Sequence, residues 1–293
     1  MHSATPTQDD REKLFYWLKK ISSLTAWRNV SIHYRNWADI TEKSVRRAED
    51  LGWIEKTGLP RSDYNLILKG LLHCDEGVRR LSEGDKRVFK FDSNGEFAMA
   101  NRILSHWSQM KTRIEEGENG IDEAHTPYWP DFTAALQRAH MCWQACSFQI
   151  LEPRYLDEPA LTIYNDWTMN YLASLPFPKV LQAVPDPQDN VFVRTNGYTP
   201  CSGIWEPIET AAPKRSWLGL LKKDPKPQAP FKIMGAMNYL HGGSRAPKID
   251  VDLEDDEVSL HTTWRLLWRD DRYRDGTIPE EEAEYQFDDI ADN

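Results

Sequence analysis

Through the first 175 residues apolar side chains recur at three- and four-residue steps, and only later does the spacing shorten. Leu14, Trp17, Leu18, Ile21 and Leu24 line one face of a predicted helix, and Asp9 with Glu12 has the spacing of a capping box at its start. A shorter helix is predicted from near Thr41 to Leu51, stopping at Gly52, which tolerates the left-handed conformation of a C-terminal cap. Tyr64, Ile67, Leu68, Leu71 and Leu72 mark a third. Ser93 and Glu96 form a second box ahead of Phe97, Ala100, Ile103, Leu104, Trp107 and Ile114, and the stretch from Gly117 to Gly120 closes that helix. Pro130 opens the next, striped by Phe132, Leu136, Ala139, Trp143, Cys146 and Ile150; a last one carries Leu161, Tyr164, Trp167 and Leu172. Stripes of this kind bury one another in a helical bundle.

Beyond Pro176 prolines and glycines come close together, with short β-branched or aromatic runs between them. Val191–Thr195, Gly203–Ile208 and Phe231–Met234 are predicted strands. From Val258 to Trp268 the residues Val258, Leu260, Thr262, Trp264, Leu266 and Trp268 alternate with Ser259, His261, Thr263 and Arg265, the period of one half-buried antiparallel strand. The expected fold class is α+β: a helical domain over 1–175 and a smaller antiparallel-sheet α+β domain over 176–293, with an exposed basic insertion at 213–230 and an acidic C-terminal end. No internal repeat of solenoid length is visible.

Composition supports a folded chain. Twelve Trp, eleven Tyr and ten Phe in 293 residues are too many for a disordered one, because burial of that surface offsets the entropy of ordering. No apolar run reaches 18 residues and the first residues lack an export signal, so a membrane span or secretion is not expected. The four cysteines, Cys74, Cys142, Cys146 and Cys201, are irregularly spaced and read as reduced thiols of a cytoplasmic protein. Charge adds a regional feature. The net charge is -10, yet residues 249–293 hold sixteen Asp and Glu against four Arg, so the remainder is slightly basic. Such an end repels nucleic acid and attracts a basic surface.

Candidate chemistry is sparse. Cys142 and Cys146 share a helical face, but His140 lies about 200 degrees from Cys142 and a metal needs three or four ligands. The run Asp250, Asp252, Glu254, Asp255, Asp256 and Glu257 offers oxygen ligands, but it fails as an EF-hand loop with Asp255 at the sixth position and His261 at the twelfth. Its other readings are a solvated acidic turn or a patch complementary to a basic partner, where charge speeds association and sets specificity. Gly242, Gly243 and Ser244 could cradle a phosphate, although no Gly-Lys-Ser/Thr follows. Trp217, Leu218, Leu220 and Leu221 in the basic insertion could form an amphipathic foot, but the segment between prolines is short. The familiar hydrolase, metalloprotease and dinucleotide spacings are missing, so no catalytic residue, metal or cofactor is assigned.

Three stretches carry a family resemblance: Cys201-Ser-Gly-Ile-Trp-Glu-Pro207; Met237-Asn-Tyr-Leu-His-Gly-Gly-Ser-Arg-Ala-Pro247; and Trp264 through Leu267-Trp-Arg-Asp-Asp-Arg-Tyr273 to Asp275-Gly-Thr-Ile-Pro-Glu280. They resemble the Trp-rich immunity proteins of the 71/72 type in bacterial polymorphic-toxin systems, encoded beside effectors of contact-dependent or type VI secretion. The resemblance implies a cytoplasmic, non-catalytic inhibitor that binds a cognate toxin and blocks its active site, and it brings no catalytic residues with it. Joined with the charge pattern, it makes Asp250, Asp252, Glu254, Asp255, Asp256 and Glu257 the expected contact with a basic toxin cleft, such as that of a nuclease, with no nucleic acid or membrane partner. The competing readings are an enzyme, either a toxic effector or a hydrolase that reverses a toxin's modification, and an adaptor that loads an effector.

Overall fold

A computed structural model describes residues 7–155, 157–167, 172–187, 191–209, 227, 231–253 and 256–287, with backbone alone at 165–166, 252–253 and 256–257. The basic insertion at 213–230, apart from Pro227, lies outside the described residues, as do Glu254 and Asp255. The architecture is α+β, with helices over residues 8–147 and antiparallel strands over 192–269. The chain forms two compact units, one made of residues 1–19 and 153–271, the other of residues 20–152 and 272–293.

The second unit is built on four long helices: α2 (Leu24–Asp50), α3 (Arg61–Ser82), α4 (Glu96–Glu115) and α5 (Trp129–Ser147). The stripes predicted for α3, α4 and α5 hold the residues these helices bury, including Ile67, Leu71, Phe97, Leu104, Trp107, Phe132 and Trp143, except that Leu72 at the edge of the α3 stripe is exposed. Helix α2 starts 17 residues before the expected Thr41, and over that stretch Leu24, Trp27, Val30, Tyr34, Trp37 and Ala38 are buried at helical spacing; the hydroxyls of Ser31, Thr41 and Ser44 are buried with them. Each has a partner: Ser31 donates to Asp75 at 2.6 Å, Thr41 to the Trp37 carbonyl at 2.8 Å and Ser44 to the Pro127 carbonyl. It ends as predicted, with Gly52 at φ +69°. Rings fill the centre: Trp27 stacks on Phe97 at 3.9 Å and stands edge-on to Trp143 at 5.3 Å. Helix α3 reaches this core through Gly70, where a Cβ would lie 2.1 Å from the Tyr34 hydroxyl.

Residues 272–287 complete this unit. Thr277 and Glu280 have the spacing of a capping box but open no α-helix: Thr277 lies in a loop and donates to Asp275 at 2.7 Å, and Glu280–Glu284 form a five-residue 3-10 turn. Glu282 serves the start of a different helix. Its carboxylate accepts from the Thr25 N–H at 3.1 Å and the Thr25 hydroxyl at 2.7 Å, while the Leu24 N–H donates to the Tyr273 hydroxyl at 2.7 Å. Together with Ser23, which accepts from the Ala26 N–H at 3.1 Å, these satisfy three of the N–H groups that a helix start leaves orphaned. The Tyr273 hydroxyl donates in turn to Glu282, and Arg272 donates to Ser22 Oγ at 2.8 Å. Tyr273 adopts φ +71°, a conformation unusual for a bulky residue, held by these contacts.

In the first unit a central sheet runs in the order β1 (Phe192–Arg194), β7 (Thr263–Arg269), β2 (Gly203–Glu209) and β3 (Lys232–Ile233), with β4 (Asn238–Leu240) also paired to β2. The hairpin β5 (Ile249–Leu253) and β6 (Asp256–Leu260) stands as a second, two-stranded sheet. The single strand expected from Val258 to Trp268 is therefore two strands in two sheets. The break falls at His261 and Thr262, where the Thr262 N–H donates to the Thr195 hydroxyl at 2.9 Å and its hydroxyl to the Ile208 carbonyl at 3.1 Å. A register shift adds a second departure, because Trp205 pairs with Leu266 but Ile204 pairs with Trp268. Leu267 is the extra residue, and past it the side-chain alternation reverses. Trp264 and Leu266 enter a core with Val193, Trp205, Leu240 and Ile249, whereas Trp268 meets Phe15 edge-on at 6.4 Å.

That second face is covered by helix α1 (Gln8–Ile21). Its cap is one box earlier than expected: Thr7 and Asp10 exchange bonds, with the Asp10 N–H donating to Thr7 at 3.1 Å and the Thr7 N–H to Asp10 at 3.0 Å. Leu14, Phe15, Trp17 and Leu18 are buried, and Trp17 packs edge-on against Trp167 of the short helix α6 (Tyr164–Trp167) at 5.3 Å. Glu206, fully buried on β2, receives Arg265 through Nε at 2.9 Å and Nη2 at 2.6 Å, and also pairs with Arg11 of α1. Burial pushes the neighbouring Tyr164 phenol upward.

All four cysteines are buried and none forms a disulfide. Burial pushes the Cys142 thiol up to about 12 and raises Cys74 and Cys146 further, so none of these three is a reactive thiolate near neutrality. Two predictions follow from these buried groups. Glu206→Ala leaves two largely buried guanidiniums without their anion and should cost about 3–5 kcal/mol in urea denaturation; an unchanged midpoint would refute the pairing. The raised thiols keep their protons in the native state while the unfolded chain loses them from pH 9.0 upward. Stability should be intact below that value and fall as pH rises toward about 12, so the urea midpoint drops between about pH 8 and about pH 10.5.

Candidate partner-binding surface

The acidic run lies on the β5–β6 hairpin. The register sets Ile249 opposite Leu260, Asp250 opposite Ser259, Val251 opposite Val258, Asp252 opposite Glu257 and Leu253 opposite Asp256. Because side chains alternate along a strand, positions 249 and 251 share one face with 258 and 260, and positions 250 and 252 share the other with 257 and 259. The first face is anchored: Ile249 is fully buried, and Val251 and Leu260 pack against the same core as Trp205 and Trp264. The hairpin is tied down at its base, where the Ala160 N–H donates to the Lys248 carbonyl at 2.9 Å and Thr162 donates to the Asp250 carbonyl at 2.7 Å.

Four of the six residues singled out in the sequence, Asp250, Asp252, Asp256 and Glu257, are thus strand residues, while Glu254 and Asp255 fall outside the described residues. The Asp250 carboxylate accepts from Ser259 at 2.7 Å and has no ion-pair partner among the described residues. Positions 252 and 257 are a directly opposed acidic pair, an arrangement that weakens a hairpin. The free edge of β6 has no strand partner among the described residues, and charge along such an edge discourages promiscuous pairing.

Of the other candidates, the amphipathic foot at Trp217, Leu218, Leu220 and Leu221 lies outside the described residues. No group of three or more metal-capable side chains comes together among the described residues. At the glycine pair the N–H groups a phosphate would need are already used: Gly242 donates to Ser202 Oγ at 2.9 Å, Gly243 to the Thr199 carbonyl at 2.8 Å and Ser244 to the His241 carbonyl at 3.1 Å. No helix among the described residues is long and apolar enough to cross a membrane. What the sequence reading missed are two buried polar clusters: Arg11–Glu206–Arg265, whose members are far apart in the chain, and Arg272–Tyr273–Glu282, which are close in the chain but bond to the distant start of α2. Glu206 had one visible signal, a carboxylate set inside the apolar run Gly203–Ile208.

Comparison with known families adds what geometry alone does not. Residues 5–161, more than half of the chain, match the model of immunity protein 71, and residues 184–286 match that of immunity protein 72. No curated protein and no solved structure matches the chain. The chain therefore belongs to the immunity protein 71 family, with an immunity protein 72 segment following, a membership that points to a toxin-neutralising role.

Proposed function

We propose that the protein is a non-catalytic inhibitor that binds one cognate toxin in the cytoplasm and occludes its active site, with the acidic hairpin as the contact. The observation that supports this reading is the hairpin's division of labour. One face is fastened to a buried core, and the other brings Asp250, Asp252 and Glu257 to adjacent register positions. A strand pair anchored on one face, with acidic residues clustered by register on the other, suits a partner whose own site is positive, since complementary charge steers encounter and fixes register. A nuclease cleft, which must hold phosphate, has that chemistry. Glu254 and Asp255 belong to the same acidic run and to the same proposal. The toxin would be an effector delivered by type VI or contact-dependent secretion, and neither nucleic acid nor membrane enters the reading.

The test is neutralisation of the toxin encoded beside this chain. A stoichiometric amount of the protein should abolish the toxin's activity, and a 1:1 complex should weaken as salt rises; a fully active toxin without complex would sink the idea. Asp250→Asn with Asp252→Asn and Glu257→Gln should slow association more than it speeds dissociation and flatten the salt dependence. Glu257→Lys separates binding from folding. By converting an opposed like-charged pair into an attractive one, it should stabilise the chain by about 0.2–1 kcal/mol while lowering affinity for a basic toxin. Equal affinity in that variant would exclude the hairpin as the contact.

A further inference from the structure

The two family-matched stretches do not coincide with the two compact units. Residues 5–161 include the helix start at 8–19, which belongs with 153–271, and residues 184–286 include the tail from 272, which belongs with 20–152. Each unit is completed by an end of the other stretch. In each case that end brings apolar burial and also supplies the partner of a buried polar group. Helix α1 inserts Leu14, Phe15 and Leu18 and supplies Arg11 to the fully buried Glu206. Residues 272–287 supply Tyr273 and Glu282 to the N–H groups of Leu24 and Thr25 and Arg272 to the Ser22 carbonyl at 3.2 Å. A buried carboxylate or helix start left without such partners is expensive to keep folded.

We infer that residues 153–271 form a binding surface for an amphipathic helix whose occupant is residues 7–19 of this chain, and that the start of α2 is a binding site for residues 272–287. The specificity of the first surface is that of its chemistry: the occupant must place one guanidinium on Glu206 and, four residues on, a ring against Trp268, which Arg11 and Phe15 do. The same spacing puts both side chains on one helical face. The two family segments then complement each other: the second is not a free-standing module, and the first is destabilised without it. This inference rests on the packing alone and survives whichever partner the hairpin binds.

A protease site placed between Asp186 and Pro187, both exposed, in the full-length protein tests it. After cleavage the two pieces should still elute as one 1:1 species and melt together. Made separately, the 187–293 piece should show no cooperative transition, the 1–186 piece should melt roughly 10 °C or more below the intact protein, and mixing should restore the parent behaviour. Arg11→Ala with Phe15→Ala should weaken association of the cleaved pieces at least tenfold, and Glu282→Ala should lower the melting temperature of the intact chain. If the uncut insertion variant does not fold, co-expression of 1–186 with 187–293 gives the same comparison. Pieces that separate on cleavage, a 187–293 piece that melts cooperatively alone, or substitutions at Arg11 and Phe15 that leave association unchanged would each overturn the inference.

Discussion

One buried carboxylate sets the constraint that the sheet unit has to meet. Glu206 sits fully buried on the central strand, and an anion there is tolerable only with cations held against it. Arg265, its direct neighbour across the ladder, supplies one from the same sheet; Arg11 supplies the other from a helix 195 residues earlier in the chain. The pairing fixes more than charge. With Arg11 on Glu206, the next turn of α1 carries Phe15 to Trp268, and the register shift at Leu267 is what turns Trp268 toward that helix. Without the extra residue the ring would point into the opposite core, already occupied by Trp205, Trp264 and Leu266.

Periodicity made the helices legible, because a helix that buries one face must repeat at three and four residues wherever its buried positions are apolar. Helix α2 carries that signal as well, with Leu24, Trp27, Val30, Tyr34, Trp37 and Ala38 buried at helical spacing ahead of Thr41. Leu24 also continues the stripe of α1, so spacing alone does not mark where one helix ends and the next begins. Capping boxes failed for a different reason. The spacing of a capping residue and an acid three positions on occurs by chance in any charged chain, and it fixes no register. Asp9 with Glu12 was displaced by Thr7 with Asp10; Ser93 lost to Gly95, which caps α4 without a side-chain bond, while Glu96 was taken by His73 and Arg80. Thr277 with Glu280 opened only a short 3-10 turn, and the carboxylate beside it, Glu282, caps a helix more than 250 residues away.

The strand ending at Trp268 shows the limit of alternation as a guide. Two consecutive strands of opposite sheets keep the same period if the break between them has an even length, and His261 with Thr262 supply such a break. Periodicity therefore could not see that β6 leaves the central sheet for the hairpin. Family words were legible for a related reason: Trp205, Glu206, Tyr239, Asp270 and Tyr273 are all buried, and Tyr239 donates to Asp270 at 2.9 Å within the sheet unit. Such residues identify a fold through its core, and they carry no information about which surface meets a partner.

In the β5–β6 hairpin the constraints divide by face. A residue on the anchored face, such as Ile249, is constrained by the core it fills, and changing its size costs stability at once. Positions 250, 252 and 257 lie by register on the other face, and an opposed acidic pair at 252 and 257 is locally unfavourable. Packing can tolerate that arrangement because the anchored face, with Val251 and Leu260 against the core, holds the strands together independently of it. A cost of this kind that folding does not require is what a charge-selective contact would leave behind, since repulsion between neighbouring carboxylates in the free protein is relieved when a cationic surface lies over both.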